Sequence, residues 1–212
     1  MVIPFPDTDI YCLTDSRQSL GRSTIEVVRQ MLAADIKLIQ YREKHKSKKA
    51  MLEECLVLRQ MTREAGCCFL VNDHVDIALA CDADGVHAGQ DDMPLAMVRE
   101  LVGPERIVGI STHSWAEAEA AIAGGADYIG VGPIFPTATK AEAKAVGFAY
   151  LQKAAANCSI PFTAIGGINE ASITECVRHG AKLCAIVSAI TMAPDIPARI
   201  ARLRELHKEG RA

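Results

Sequence analysis

Short apolar runs alternate with amphipathic stretches along the whole chain. The runs are 10–14 (IYCLT), 36–42 (IKLIQYR), 68–72 (CFLVN), 85–88 (GVHA), 106–111 (RIVGIS), 128–132 (YIGVG), 161–166 (PFTAIG) and 183–188 (LCAIVS). Apart from polar residues at their outer positions they are nearly continuously apolar, the pattern of strands covered on both faces of a parallel sheet. Between them lie helix-period segments. In 22–34 the apolar positions are 25, 28, 31 and 32, and in 48–65 Met51, Leu52, Cys55, Leu58 and Met61 share one side. The stretches 73–80, 94–102, 115–123, 145–156, 170–178 and 195–206 are the other expected helices. Gly66, Gly124–Gly125 and Gly180 follow helices at the places where a left-handed residue ends one.

Strand then helix, repeated eight times over 1–212, predicts an α/β fold of one (β/α)8 TIM barrel domain. A doubly wound open sheet is the competing arrangement. It usually has about five or six strands and a glycine-rich turn after the first. Here the first strand runs into Thr14-Asp15, and no G-x-G-x-x-G follows.

Composition narrows the function classes. Of the 212 residues 50% are hydrophobic and 23% charged, with a formal net charge of −3, so the chain has material for a core and no overall basic character. That charge gives no reason to expect nucleic acid or an anionic membrane as partner. No apolar run approaches the roughly 18–20 residues of a membrane span. The opening MVIPFPDTDIYCLTD has neither a basic start nor a long apolar stretch, so no signal peptide is expected and the expected location is cytoplasmic. Cys12, Cys68, Cys81 and Cys184 sit among apolar residues and no C-x-x-C occurs, so the eight cysteines are expected to be reduced and structural.

Chemistry in such a barrel belongs at the carboxyl ends of its strands, and there the polar residues gather. Gln40-Tyr41-Arg42-Glu43-Lys44 follows the second, Asn72-Asp73 the third, His87 to Asp92 the fourth and Ser111-Thr112-His113 the fifth. Gly132 to Lys140 follows the sixth, Gly166-Gly167-Ile168 the seventh and Val187-Ser188 the eighth. Arg42, Lys44 and Lys140 are cations; Asp73 and Asp92 are carboxylates from neighbouring strands. Together they point to a polyphosphate with Mg2+, a hard cation that favours oxygen ligands. The bland alternative makes the aspartates solvated loop residues, with Asp73 capping the next helix. Gly166-Gly167 and Ser188 stand where barrels bind phosphate through backbone N–H groups, although a glycine pair also makes a tight turn. Most of Lys44–Lys49 reads as a solvated helix start. His87 and His113 read as structural, and Trp115 as packing at its helix start.

These motifs, taken in order from Tyr11-Cys12-Leu13-Thr14-Asp15 to Val187-Ser188-Ala189-Ile190, resemble the thiamine-phosphate synthase (thiamine-phosphate pyrophosphorylase) family over nearly the whole chain. The specific pieces are Gln40–Lys44, Val71–Asp73, Ala83–Pro94, Gly109–His113, Gly130–Lys140 and Ala164–Ile168. The resemblance implies a transferase of thiamine biosynthesis that joins a hydroxymethylpyrimidine diphosphate to a thiazole phosphate and releases pyrophosphate. It implies that Gln40, Arg42, Lys44, Asn72, Ser111 and Lys140 hold the diphosphate substrate, with Arg42, Lys44, Lys140 and Ser111 catalytic. Asp73 and Asp92 would bind Mg2+; Thr137, Thr139, Gly167, Val187 and Ser188 would hold the thiazole phosphate. The implied chemistry is dissociative: pyrophosphate leaves and the thiazole nitrogen captures a pyrimidine-methyl cation. Ala88 and His74 depart from the usual residues, at positions that carry none of this chemistry.

Two other readings stay open at this stage. One is a Schiff-base aldolase using Lys140, which would need a desolvated lysine. The other is a thiazole tautomerase-like or regulatory barrel that binds phosphate without releasing pyrophosphate. Residues 137–147 are the candidate for a loop closing the site. The sequence leaves a homo-oligomer open.

Overall fold

The computed structural model describes residues 3–137 and 144–211. Among them eight parallel strands close in sequence order into a barrel. They are β1 (Ile10–Leu13), β2 (Leu38–Tyr41), β3 (Cys68–Asn72), β4 (Gly85–Ala88), β5 (Ile107–Thr112), β6 (Tyr128–Val131), β7 (Phe162–Ile165) and β8 (Cys184–Ile186). Closure is made by β8 against β1, with Ile10 opposite Cys184 and Cys12 opposite Ile186. No free edge remains to recruit another strand.

Helices fill each return path: α1 (Thr24–Ala33), α2 (Lys48–Glu64), α3 (Val75–Ala80), α4 (Leu95–Val102), α5 (Trp115–Ala123), α6 (Gly147–Asn157), α7 (Ile173–Arg178), α8 (Ser188–Thr191) and α9 (Ile196–Arg211). Serine side chains start three of them. Ser23, Ser47 and Ser114 accept from the N–H groups of Glu26, Ala50 and Glu117, satisfying donors that a helix leaves unpaired. Gly66, Gly125 and Gly180 take positive φ after their helices, as the punctuation predicts. The four-residue α8 and a 3-10 turn at Ser16–Gln18 were not anticipated; both are too short to show a period. The last helix runs on to Arg211.

The period-two alternation of each strand sorts its side chains into two cores. Outward residues such as Ile10, Cys12, Ile39, Phe69, Val86, Val108, Ile129 and Cys184 pack under Val28, Met31, Leu58, Val98, Leu151 and Leu203 of the helices. Inward residues Tyr11, Leu13, Leu38, Leu70, Ile107, Tyr128, Leu183 and Ala185 fill the barrel. The segment before β1 plugs the lower end: Ile3 N–H donates to the Glu105 carbonyl, and Phe5 stacks on Tyr128 with ring centroids 4.3 Å apart. The eight cysteines are unbridged, and burial raises the Cys12 and Cys184 thiols well above their ordinary range, away from the reactive thiolate. Among the described residues no helix is long and apolar enough to cross a membrane.

Room for the Tyr128 ring comes from β5. A Cβ on Gly109 would stand 2.1 Å from Tyr128 Cε1 and 2.6 Å from its hydroxyl oxygen. Gly109→Ala should therefore destabilise the barrel by about 1–3 kcal/mol, the ordinary cost of overpacking. Equilibrium urea unfolding would read this as a lower midpoint; an unchanged midpoint would mean that the ring moves aside without cost.

Candidate active site

The first two strands build a cationic corner. Thr14, at the end of β1, accepts the Arg42 N–H on its hydroxyl at 2.9 Å and donates that hydroxyl to the Arg42 carbonyl at 3.1 Å. Asp15 Oδ2 accepts from the Arg42 guanidinium at 3.0 Å, in a pair largely withdrawn from solvent. Glu43 points back beneath its own turn, where Oε1 accepts the N–H groups of Lys44 and His45, each at 2.8 Å. Arg42 and Lys44, on either side of this buried carboxylate, are thereby turned into the barrel mouth. Lys46 leaves the mouth and pairs with Glu54 at 2.7 Å, so it tethers the loop to α2 and is not part of a solvated run.

The next two strands bring the carboxylates together. Asp73 sits just beyond β3 with φ +60°, a left-handed conformation uncommon for a side-chain-bearing residue. The alternative reading of Asp73 as a helix cap is not observed: α3 begins after His74 with no side-chain cap, and Asp73 Oδ2 pairs with the Lys44 ammonium. Asp92 accepts the Gly89 N–H at 2.8 Å from its own turn and stands beside Asp73. Burial, and then the neighbouring Asp92, push the Asp73 carboxyl up, while Lys44 opposes them. Two carboxylates on one side of the cavity offer oxygen ligands of the kind a hard divalent cation takes, as part of a shell that other ligands would have to complete.

Below lies a hydrogen-bonded floor. Gln40 Nε2 donates to the Tyr11 hydroxyl at 2.7 Å, and that hydroxyl lies 2.9 Å from the Tyr128 hydroxyl. Tyr128 lies 2.7 Å from His87 Nδ1, and His87 Nε2 lies 2.9 Å from Ser111 Oγ. Burial raises both tyrosine hydroxyls well above their ordinary range, so they stay protonated. Gln90 Nε2 donates to the Ser111 carbonyl at 2.6 Å. His113 is held by its Nδ1–H, 2.5 Å from the Gly132 carbonyl.

The opposite rim comes from β6 to β8. Gly166 and Gly167 have φ +99° and +69°. A Cβ on Gly167 would stand 2.7 Å from Phe135 Cβ, so this turn demands glycine for its backbone alone, and substitution there is a poor probe of ligand binding. Val187 and Ser188 stand at the start of α8. The Arg22 guanidinium fixes the far end of α8, donating at 2.7 Å to the carbonyls of Thr191 and Ala193.

All of these surfaces enclose one cavity of about 320 Å3 at the carboxyl ends of the strands. Gln40, Arg42, Lys44, Asn72, Asp73, Asp92, Ser111, Thr137, Gly167, Val187 and Ser188 line it. Thr139, Lys140 and most of the 137–147 loop lie outside the described residues. Thr14, Asp15, Glu43, Tyr11 and Tyr128 also shape the site, and none of them carries an assigned role in the sequence. Thr14 and Asp15 had position as a signal, since they end a strand. The tyrosines had only their inward parity, which needs the barrel to be read.

The buried Glu43 generates a pH test. Burial alone would raise its carboxyl, but the nearby Ser16 hydroxyl, the His45 and Lys44 N–H groups and the Lys46 ammonium hold it below the ordinary value of 4.5. A group depressed in the folded state stabilises above its unfolded pKa, and that contribution is lost as pH falls through the folded one. Glu43→Gln should therefore be less stable than the parent at neutral pH, with the gap closing below about pH 4. Urea midpoints measured from pH 7 downward would show it; a gap that stays constant would remove the carboxylate from this role.

Comparison with known proteins agrees with this architecture. The family description "Thiamine monophosphate synthase" matches residues 10–190. The chain is 54% identical over 200 residues to the thiamine-phosphate synthase of Lawsonia intracellularis, covering 94% of this chain and 92% of that one. It is 56% identical over 201 residues to the thiamine-phosphate synthase of Pelotomaculum thermopropionicum, again covering 94% and 92%. Among solved structures, the thiamine phosphate pyrophosphorylase from Pyrococcus furiosus superimposes with a TM-score of 0.88 at 38% identity, covering 96% of this chain and 97% of that one. On the match to residues 10–190 and these identities over nearly the full length, the chain belongs to the thiamine monophosphate synthase family of transferases.

Proposed function

We propose that this chain joins 4-amino-2-methyl-5-hydroxymethylpyrimidine diphosphate to a thiazole phosphate, giving thiamine phosphate and pyrophosphate. The observation that carries the reading is the pairing of charges in one cavity: Arg42 and Lys44 beside the Asp73–Asp92 carboxylates, facing a glycine turn and Ser188. A diphosphate suits the first side and a phosphate monoester the second. The names borne by the relatives support the same reaction.

Asp73 and Asp92 are the residues that would hold Mg2+, which when bound supplies positive charge to the diphosphate oxygens. Arg42 and Lys44 are held in ion pairs with Asp15 and Asp73, and both can turn their donors to phosphate. In the reaction the carbon–oxygen bond between the pyrimidine methylene and the diphosphate breaks, and its electron pair leaves with pyrophosphate. The lone pair of the thiazole nitrogen then forms the carbon–nitrogen bond. That nitrogen carries no proton, so no general base is required. The work of the protein is charge stabilisation at the leaving group by Arg42, Lys44 and Lys140, with alignment of the two substrates. Gln40, Asn72 and Ser111 would hold the pyrimidine half. Thr137, Thr139, Gly167, Val187 and Ser188 would hold the thiazole phosphate.

The direct test is pyrophosphate release with both substrates and Mg2+, where release from either substrate alone at the full rate would refute the coupling. Asp92→Asn should raise the Mg2+ concentration needed for half-maximal rate while leaving the KM for thiazole phosphate unchanged; superimposable Mg2+ curves would refute the metal role. Lys140→Met should lower kcat by about 100- to 1,000-fold, the scale of losing one donor to developing charge. Lys140→Arg should retain part of the activity. A dead arginine variant together with a borohydride-trapped imine in the parent would favour the aldolase reading.

A further inference from the structure

Helix α8 is a single turn at the cavity rim and cannot hold its own place. So short a helix makes too few internal hydrogen bonds to be stable alone, and no side chain caps its start. Val187 and Ser188, at that start, line the cavity. The other end is buried: Thr191 is fully enclosed and Ala193 nearly so. Carbonyls at the end of a helix lack partners within it, and out of water they need a donor from elsewhere. The Arg22 guanidinium supplies one. Its Nη2 donates at 2.7 Å to the Thr191 carbonyl and at 2.7 Å to that of Ala193. Thr191 in turn donates its hydroxyl to the Val187 carbonyl at 3.2 Å, which ties the held end back to the rim.

Arg22 belongs to the loop between β1 and α1, and that loop is closed upon itself. Arg22 Nε donates to the Ser19 carbonyl at 3.0 Å, and the Arg22 backbone N–H donates to the same carbonyl at 3.1 Å. Ser19 is buried, with its Oγ 2.9 Å from the carbonyls of Ser16 and Arg22. Asp15 opens the loop; its carboxylate accepts the Arg17 N–H at 3.0 Å and the Arg42 guanidinium at 3.0 Å. One short loop therefore grips Arg42 through Asp15 on one side of the cavity and α8 through Arg22 on the other. Arg22 itself is absent from the described residues that line the cavity, so it bears on a ligand only through α8.

We infer that Arg22 is a positioning residue that sets the affinity for the phosphate monoester by fixing Val187 and Ser188 against the rest of the cavity, a role that rests on the reaction proposed above. Misplacing a substrate-holding group by about 1 Å can cost on the order of 100-fold, even when the altered residue is remote from the chemistry. The planar fork matters as well as the charge. It meets Ser19 with one nitrogen and both α8 carbonyls with another, and a lysine ammonium lacks that fixed spacing.

Steady-state kinetics with each substrate varied in turn tests this. Arg22→Gln should raise the KM for thiazole phosphate by about tenfold or more, with the KM for the pyrimidine diphosphate within about twofold and kcat within about threefold of the parent. Arg22→Lys should fall between the two, and it carries the test if the glutamine variant fails to fold. A merely structural arginine would lower the folded fraction, so that kcat falls and both KM values stay; that result would overturn the proposal, as would both KM values rising together. Arg204→Gln is the control. It removes a guanidinium that donates at 2.6 and 3.0 Å to the carbonyls of Ala34 and Asp35, before β2 and away from α8, and it should move neither KM. An equal rise in the thiazole phosphate KM there would also overturn the proposal. Calorimetric titration of thiazole phosphate, with Mg2+ and pyrophosphate present, separates this role from the reaction. A parent that binds thiazole phosphate yet forms no thiamine phosphate refutes the reaction, and the ratio of Kd between Arg22→Lys and parent then decides: weaker binding supports the role and equal binding overturns it. A parent that binds no thiazole phosphate overturns both.

Discussion

The contact between the Tyr11 and Tyr128 hydroxyls, 2.9 Å apart inside the barrel, is the point on which the site depends. Eight short strands closed on themselves leave an interior that only side chains can fill. Below the tyrosines the filling is apolar, from Ile3, Phe5, Leu38, Leu70, Ile107 and Leu183. Above them it is polar and opens into the cavity. The two rings are the boundary, with their apolar bodies in the plug and their hydroxyls joined to Gln40 and His87. Gly109 makes the boundary possible by leaving the volume that the Tyr128 ring takes up.

Around that floor the charged groups are arranged so that none is buried alone. Arg42 leans on Asp15, Lys44 on Asp73, and Glu43 on the N–H groups of its own turn. Each ion pair keeps a cation oriented at a partly buried site, where an unpaired charge would be costly. The Asp73–Asp92 meeting is the exception: burial and mutual repulsion raise the Asp73 carboxyl, and Lys44 only partly offsets this. An arrangement that is electrostatically incomplete at one point is how a protein holds a place for a ligand that carries the missing charge.

Much of this was legible beforehand. The eight apolar runs fell on the eight strands, and Gly66, Gly125 and Gly180 closed the helices that they were expected to close. Arg42, Lys44, Asp73 and Asp92 stood out because ionisable residues at strand ends are conspicuous against apolar strands. Three points were not legible. Asp73 could also be read as a helix cap, and only the fold shows its carboxylate turned to Lys44 instead. Gly167 read as either a turn or a phosphate contact; its positive φ and the nearby Phe135 show a backbone requirement. Lys46 read as part of a solvated run and is tied to Glu54.

The sequence by itself determined the alternation of strand and helix, the barrel that follows from repeating it eight times, and the family, because these reside in local periodicity and in short contiguous motifs. Tertiary structure decided which residues meet. Tyr11 and Tyr128 are 117 positions apart, and His87 and Ser111 belong to neighbouring strands separated by a helix. The pairing of such residues depends on strand parity, on register and on closure of β8 against β1. A one-residue slip in any strand would have turned these side chains outward against the helices.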